Sequence, residues 1–345
     1  MAAPRGTTSR PSMADVGRAA NVSAQTVSRY FTGTGYVSAD TKERIAAAVD
    51  QLGYRFNQAA RNLRTQRTDS VGVLALGALN YGSAAVLTGL SLAAREVDFT
   101  LSIVELDLDY EAKDWEGEAR RALDHFLSIP VDGIVFSTPV RGAEDLIRSI
   151  GESTPIITVS EMPPSLDQSA STQSHTAGLE ATRHLIALGH RRILHVAGPR
   201  TRNEAVERAR GYSDAMAEAG LEPEVLDVAT DWSSASGFRA GEVADPARFS
   251  AVFTANDEIA LGFMSAMEQR GLRAPGDFSI VGVDDMPTAA YFSPPLSTMR
   301  LDFRMLGAIT FRMLHQEIVT GERPHHLIVE PELIARASSA PPRSA

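Results

Sequence analysis

The chain has 345 residues, 43% of them hydrophobic, which is more than one compact core usually covers and predicts two or three folding units. It has no cysteine, which excludes disulfides and thiolate metal sites and fits a reducing cytoplasm; with a polar start and no run of about 18 apolar residues, it is expected to be soluble and unexported, with no membrane partner. The net charge of −10 hides an asymmetry, because ten of the 33 Lys and Arg but only four of the 43 Asp and Glu precede Asp69, leaving a head of +6 on a body of −16, a distribution that suits a polyanion-binding module joined to something that is not one.

Residues 1–11 read as a disordered N-terminal arm. From 12 to 56 the apolar spacing is helical in three short bursts. The first runs Met13 to Ala20 behind Ser12 as N-cap, with Asp15 three residues on in a capping-box arrangement. Asn21 can take the left-handed conformation that ends it, and the break Asn21-Val22-Ser23 has the length of the turn in a helix-turn-helix. The second helix is predicted over Ala24 to Tyr30 behind Ser23, and the third over Ala39 to Leu52, capped by Ser38 and closed by Gly53. Val16, Ala19, Val27, Ile45, Val49 and Leu52 fall on inward faces and predict the core. Gln25 and Arg29, four apart, share one exposed face, and both side chain types make bidentate hydrogen bonds to purine edges in the major groove. Ser23, Thr26, Ser28, Asn57 and Arg61 suit phosphates, which fix register without reading sequence.

A polar linker spans 57–69. From 70 to 336 strand-like runs alternate with helical segments: 71–76, 100–105, 133–136 and 155–159, then 193–197, 224–228, 251–254 and 279–283. The alternation predicts parallel sheets with crossover helices, in two doubly wound sets of four strands with a cleft between them. The subdomains are expected at about 70–162 with 302–325, and 163–301 with 326–336. The Ser/Pro/Ala-rich tail, 337–345, is expected to be disordered.

Ala14-Asp15-Val16, then Asn21 through Arg29, Gly35-Tyr36-Val37-Ser38, Leu52-Gly53-Tyr54 and Ala60-Arg61-Asn62-Leu63-Arg64 together resemble the head of the lactose/galactose-repressor (LacI/GalR) family. The likeness continues through His184 to Ile193, Ala197-Gly198-Pro199, Arg208 to Tyr212, Ala255-Asn256-Asp257, Val281 to Asp285, Pro294 to Thr298 and Asp302 to Gly307, so it spans nearly the whole chain in the family's order. A narrower likeness, Asp231-Trp232-Ser233 followed by Ser236-Gly237-Phe238, is shared with the lactose-repressor side of the family.

The resemblance implies a small all-α helix-turn-helix head on an α/β two-lobed, periplasmic-binding-protein-like body. It implies DNA contacts at Ser23, Ala24, Gln25, Thr26, Ser28, Arg29, Asn57, Ala60, Arg61 and Leu63. Residues 57–64 would be a hinge helix that orders on operator DNA, with Leu63 wedging into a base step from the minor groove. Ala24 stands where the family often has a larger reader, and Phe56 where it commonly has proline. Effector binding is implied for Glu161, Arg208, Trp232, Asn256, Asp284 and Phe303. A guanidinium fork, a carboxylate and an amide satisfy vicinal hydroxyls, and an indole covers the apolar face of a pyranose. Phe303 and Asp285 equally suit plain packing or turn capping. Where the lactose-repressor pocket has aspartate and glutamine, this chain has Glu161 and Leu301.

Enzymatic readings lack a motif. There is no phosphate loop or nucleophile elbow, and Gly33-Thr34-Gly35 follows a helix, not a strand. The eight histidines, His325-His326 included, lack metal-ligand spacing. The expected protein is therefore a cytoplasmic, homodimeric repressor of carbohydrate-utilisation genes, without cofactor or metal. Its partners would be a palindromic operator and a mono- or disaccharide that releases it. The alternatives are a regulator of the same type answering to a non-sugar ligand such as a purine, and a solute-binding protein.

Overall fold

The computed structural model describes residues 11–56, 67–76, 79–106, 114–137, 154–159 and 169–343. It divides after Thr68 into two compact units.

In the first unit α1 (Met13–Ala19), α2 (Ala24–Thr32) and α3 (Ala39–Leu52) follow the sequence reading closely. Ser12 Oγ accepts from Asp15 N–H at 3.3 Å while the Asp15 carboxylate accepts from Ser12 N–H at 2.8 Å, completing the capping box. These hydrogen bonds, with Arg18 beside them, hold the Asp15 carboxyl down at about 2. Asn21 turns the chain at φ 52°. The turn is tight enough that a Cβ on Gly17 would lie 2.8 Å from the Val22 carbonyl oxygen, so α1 meets the turn only without a side chain there. Val16, Val27 and Ile45 are completely buried, with Ala20, Ala48 and Tyr54 around them. Ala20 takes the inward place expected of Ala19, which is exposed. The close approach at Gly17 sets which side of α1 faces the turn, and Val16, Gly17 and Ala20 lie on that side. Arg44 on α3 donates to the Ala20 carbonyl at 2.8 Å and ties the end of α1 to the third helix.

The second unit holds β1 (Ser70–Leu76), α4 (Tyr81–Glu96), β2 (Thr100–Leu106), α5 (Trp115–Ser128), β3 (Gly133–Ser137), β4 (Ile156–Val159) and β5 (Ser169–Ser171). Then come α6 (Ser174–Ala187), β6 (Ile193–Val196), α7 (Asn203–Glu218), β7 (Glu224–Leu226), α8 (Ser234–Val243), β8 (Ala251–Thr254), α9 (Asp257–Gln269) and β9 (Ser279–Asp284). It ends with β10 (Ser297–Arg300), α10 (Phe303–Thr320), β11 (Leu327–Ile328) and β12 (Glu332–Ile334). Two six-stranded sheets result, ordered β11-β5-β4-β3-β1-β2 and β12-β10-β9-β8-β6-β7. All pairings are parallel except β10 with β12. Buried apolar side chains such as Val71, Val73 and Val135 in the first sheet, and Val252, Phe253 and Val281 in the second, make central strands that are hydrophobic on both faces.

The eight strands expected from sequence are present. Four short ones were not foreseen: β5, β10, β11 and β12. At two to four residues, from Ser-Ala-Ser to Leu-Ile, they are too short to show a strand pattern and read as connections. They also move the subdomain borders, because β5 and β11 pair with the first sheet where 163–301 and 326–336 were expected in the second lobe. Among the described residues, no helix is long and apolar enough to cross a membrane.

The tail expected to be disordered is instead packed as far as Ala340. Ser338 is fully buried; its hydroxyl donates to the Ile280 carbonyl at 2.6 Å and accepts from Ser297 N–H at 2.8 Å. The Ala340 carbonyl accepts from the Ser279 hydroxyl at 2.8 Å, beside His190 at 2.9 Å. Its Ser/Pro/Ala composition contains no apolar pattern, but the hydroxyls and carbonyls satisfy groups at the starts of β9 and β10 that would otherwise be orphaned.

Candidate functional site

Two surfaces concern function. On α2, Ala24, Gln25 and Arg29 are exposed, whereas Thr26 and Ser28 are half-buried. Ser23 is spent locally: its hydroxyl accepts from Thr26 N–H at 3.1 Å, capping the helix, and lies 2.9 Å from Thr26 Oγ1. Gln25 and Arg29 form no hydrogen bond or ion pair with any described residue, so their donors and acceptors are available. The stem of Arg29 passes Gly35, whose position would put a Cβ 3.7 Å from Arg29 Cδ. Phe56, in the place of the family's proline, stacks on Phe31 with ring centroids 4.9 Å apart and anchors the end of this unit in its own core. Asn57, Ala60, Arg61 and Leu63 lie outside the described residues.

In the second unit a pocket of about 640 Å³, counted with its open mouth, opens at the C-terminal ends of the parallel strands and draws its walls from elements of both sheets. It brings together five of the six residues expected there: Arg208, Trp232, Asn256, Asp284 and Phe303. Glu161 lies outside the described residues.

Arg208 sits on α7, which packs on α6 at glycine-to-backbone distance. A Cβ on Gly178 would overlap the Arg208 carbonyl, and one on Gly211 would overlap that of His175. The residue is 4% exposed. It donates to the Ala255 carbonyl at 2.5 Å, stands 3.7 Å from Asp284 Oδ1, and lies 5.4 Å from the centroid of the Trp232 ring. Its Nε has no hydrogen-bond partner among the described residues.

Trp232 is presented by the turn before α8. Asp231 accepts from Ser233 N–H at 3.0 Å and from the Ser236 hydroxyl at 2.6 Å, while Ser233 caps α8. The ring lies on Gly198, where a Cβ would come within 2.7 Å of it. The indole Nε1 is buried and has no hydrogen-bond partner among the described residues.

Asn256 proves more structural than expected. Its Oδ1 accepts from Ile259 N–H at 2.8 Å, capping α9, and its Nδ2 donates to the Trp232 carbonyl at 3.1 Å, leaving one N–H for a ligand. Asp284 ends β9 at φ 115° and is followed by Asp285 at φ 52°. Such backbone persists only when its surroundings over-determine it. Here Arg300 and Arg336 bind the Asp285 carboxylate at 2.8 and 2.5 Å, and Asp257 accepts from Met286 N–H at 2.8 Å. Asp285 is thus an anchor, one of the two roles its sequence allowed. Burial pushes the Asp284 carboxyl up to about 7, against the pull of Arg208 and with added repulsion from Glu258 and Glu204. Near neutrality it can therefore both donate and accept. Phe303 forms a wall with Gly82 beneath its ring, and also joins the apolar cores of both lobes.

Sequence reasoning missed Asn80, Ser83, Ser171, Thr172 and Glu204 of this pocket, and the role of Asp257 behind it. Asn80 and Ser83 form a capping box at the start of α4, a signal present in the sequence. Ser171 ends an unforeseen strand and Thr172 follows it, and neither gave a signal.

Residues 12–57 match the family described as bacterial regulatory proteins, lacI family, and residues 182–339 match a periplasmic binding protein-like domain. The HTH-type transcriptional repressor PurR of Escherichia coli O139:H28 is 32% identical over 339 residues, covering 94% of this chain and 96% of that protein. The Lac repressor dimer bound to operator and the anti-inducer ONPF superimposes with a TM-score of 0.86 at 25% identity, over 96% of this chain and 100% of that one. The regulator CelR in complex with cellobiose does so with a TM-score of 0.68 at 26% identity and the same coverage. With a helix-turn-helix match in the first unit and a full-length relative above 30% identity, the chain belongs to the lacI family of bacterial regulatory proteins as a DNA-binding transcriptional repressor.

Proposed function

We propose that this repressor is a cytoplasmic homodimer that controls carbohydrate-utilisation genes and leaves a palindromic operator when a saccharide enters the pocket. The observation that carries the reading is the Arg208–Asp284 pair set against the face of Trp232. Fork donor, carboxylate and indole match a ring with a hydroxylated rim and an apolar face. The CelR relative, solved with cellobiose, supports it. A flat purine held between Trp232 and Phe303 is the second reading, favoured by the same aromatic walls. A thermal-shift panel of mono- and disaccharides and purine bases separates the two. A true effector at 100 times its dissociation constant stabilises by about 2.7 kcal/mol. A melting shift with purines alone would remove the saccharide.

On DNA, Gln25 and Arg29 read base edges in the major groove, Ala24 leaves room beside them, and Ser23, Thr26 and Ser28 hold phosphates. Asn57, Ala60, Arg61 and the Leu63 wedge engage the centre of the site. One head covers a half-site, so a dimer docks on two half-sites one helical turn apart. Arg29→Ala is expected to cost about 1–3 kcal/mol and relax preference at one base pair per half-site. Affinity measured across single-base operator variants checks this, and an unaltered specific-to-nonspecific ratio would show that α2 does not read the sequence.

A further inference from the structure

Glu204 lies in the first turn of α7, one helical turn before Arg208, and lines the same pocket. It is half-buried and has no hydrogen bond or ion pair with any described residue, yet its charge is felt at Asp284. Arg208 is the only cation lining the pocket among the described residues. Asp284 already faces it at 3.7 Å, with Asp257 and Glu258 close enough to act on the same carboxyl groups. The neighbouring guanidinium groups of Arg300 and Arg336 are committed to Asp285. An arginine alone would invite an anion; here two carboxyl groups, Glu204 and Asp284, line the same pocket.

We propose that Glu204, together with Asp284, makes the pocket specific for an uncharged ligand rich in hydrogen-bond donors, so that the effector is a free glycoside or polyol and its phosphorylated and carboxylated forms are rejected. The inference rests on the saccharide reading and narrows it. An ionised carboxylate only accepts hydrogen bonds, so Glu204 needs a ligand that donates, which a hydroxyl does and a phosphate dianion does not. A phosphate brought into this wall would meet Glu204, and Asp284 in its ionised form, in a partly dehydrated space, where like charges repel more strongly than in water.

The test uses the full chain carrying Trp115→Phe, so that Trp232 is the remaining indole. Matched ligands are titrated against its fluorescence: cellobiose and cellobiose 6-phosphate, galactose with galactose 6-phosphate and galacturonate, and adenine with AMP. The uncharged member of a binding pair should bind at least about tenfold tighter than its anion, with the gap shrinking in Glu204→Gln and reversing in Glu204→Lys. An anion that binds the wild type as well as its uncharged partner overturns the proposal, as does a ratio unchanged by Glu204→Gln. If adenine binds, AMP is rejected and no saccharide binds, the saccharide reading falls while the charge rule stands. Should no ligand bind, quenching decides. Iodide should quench Trp232 at least about twofold more in Glu204→Lys than in wild type, with neutral acrylamide quenching both equally as the control for folding. Equal iodide quenching would sink the idea.

Discussion

Arg208→Ala should give a repressor that still binds its operator and no longer releases it when ligand is added. A ligand controls DNA binding only through its differential affinity for two arrangements of the body, typically about 1–3 kcal/mol. Arg208 is where the pocket's polar and aromatic parts meet, through the Ala255 carbonyl, Asp284 and Trp232. Its loss removes the ligand's fork donor and leaves a buried carbonyl unpaired, at a cost to folding of about 2–4 kcal/mol. That cost should depend on pH. Asp284, raised from an ordinary 3.8 to about 7, favours the folded state fully below pH 4, and this contribution is lost as pH rises through 7. Without Arg208 the folded value climbs further, so the loss extends to higher pH. The variant's melting deficit should therefore be larger at pH 8 than at pH 5. Fluorescence anisotropy of labelled operator, with and without the effector, reads the response. Wild-type release by Arg208→Ala would remove this arginine from the control mechanism.

Truncation after Ala337 is the second large effect expected, about 3 kcal/mol of unfolding free energy. It deletes the buried Ser338, strands the Ile280 carbonyl and the Ser297 N–H at the core of the second sheet, and uncovers His190 and Ser279. Water entering the vacated groove keeps the loss below the sum of the individual bonds. Urea denaturation of the full chain, of the truncation after Ala337 and of one after Arg343 makes the comparison. The last should match the full chain, and an equal midpoint for all three would show that the tail only rests on the surface.

The head was legible almost residue by residue, because its signals are local. Capping at Ser12, Ser23 and Ser38, left-handed positions at Asn21 and Gly53, and the spacing that leaves Gln25 and Arg29 outward all act within a few residues of themselves. The sequence by itself also determined the alternating strands and helices of the body, since buried parallel strands need continuous apolar runs, and it marked Arg208, Trp232 and Asp284 as residues of one kind of site. Only the tertiary structure decided what those residues do to one another. Asn256 is spent on a helix cap and on Trp232 because α9 starts beside the turn before α8. Glu204 enters the pocket because glycine-to-backbone packing sets α7 against α6. Asp285 is an anchor because Arg336, fifty-one residues away, reaches it. The short strands β5 and β11 and the docked tail escaped the sequence for the same reason. They are held by hydrogen bonds to partners distant in the chain, and a segment of two to four residues carries no local record of the strand it will meet.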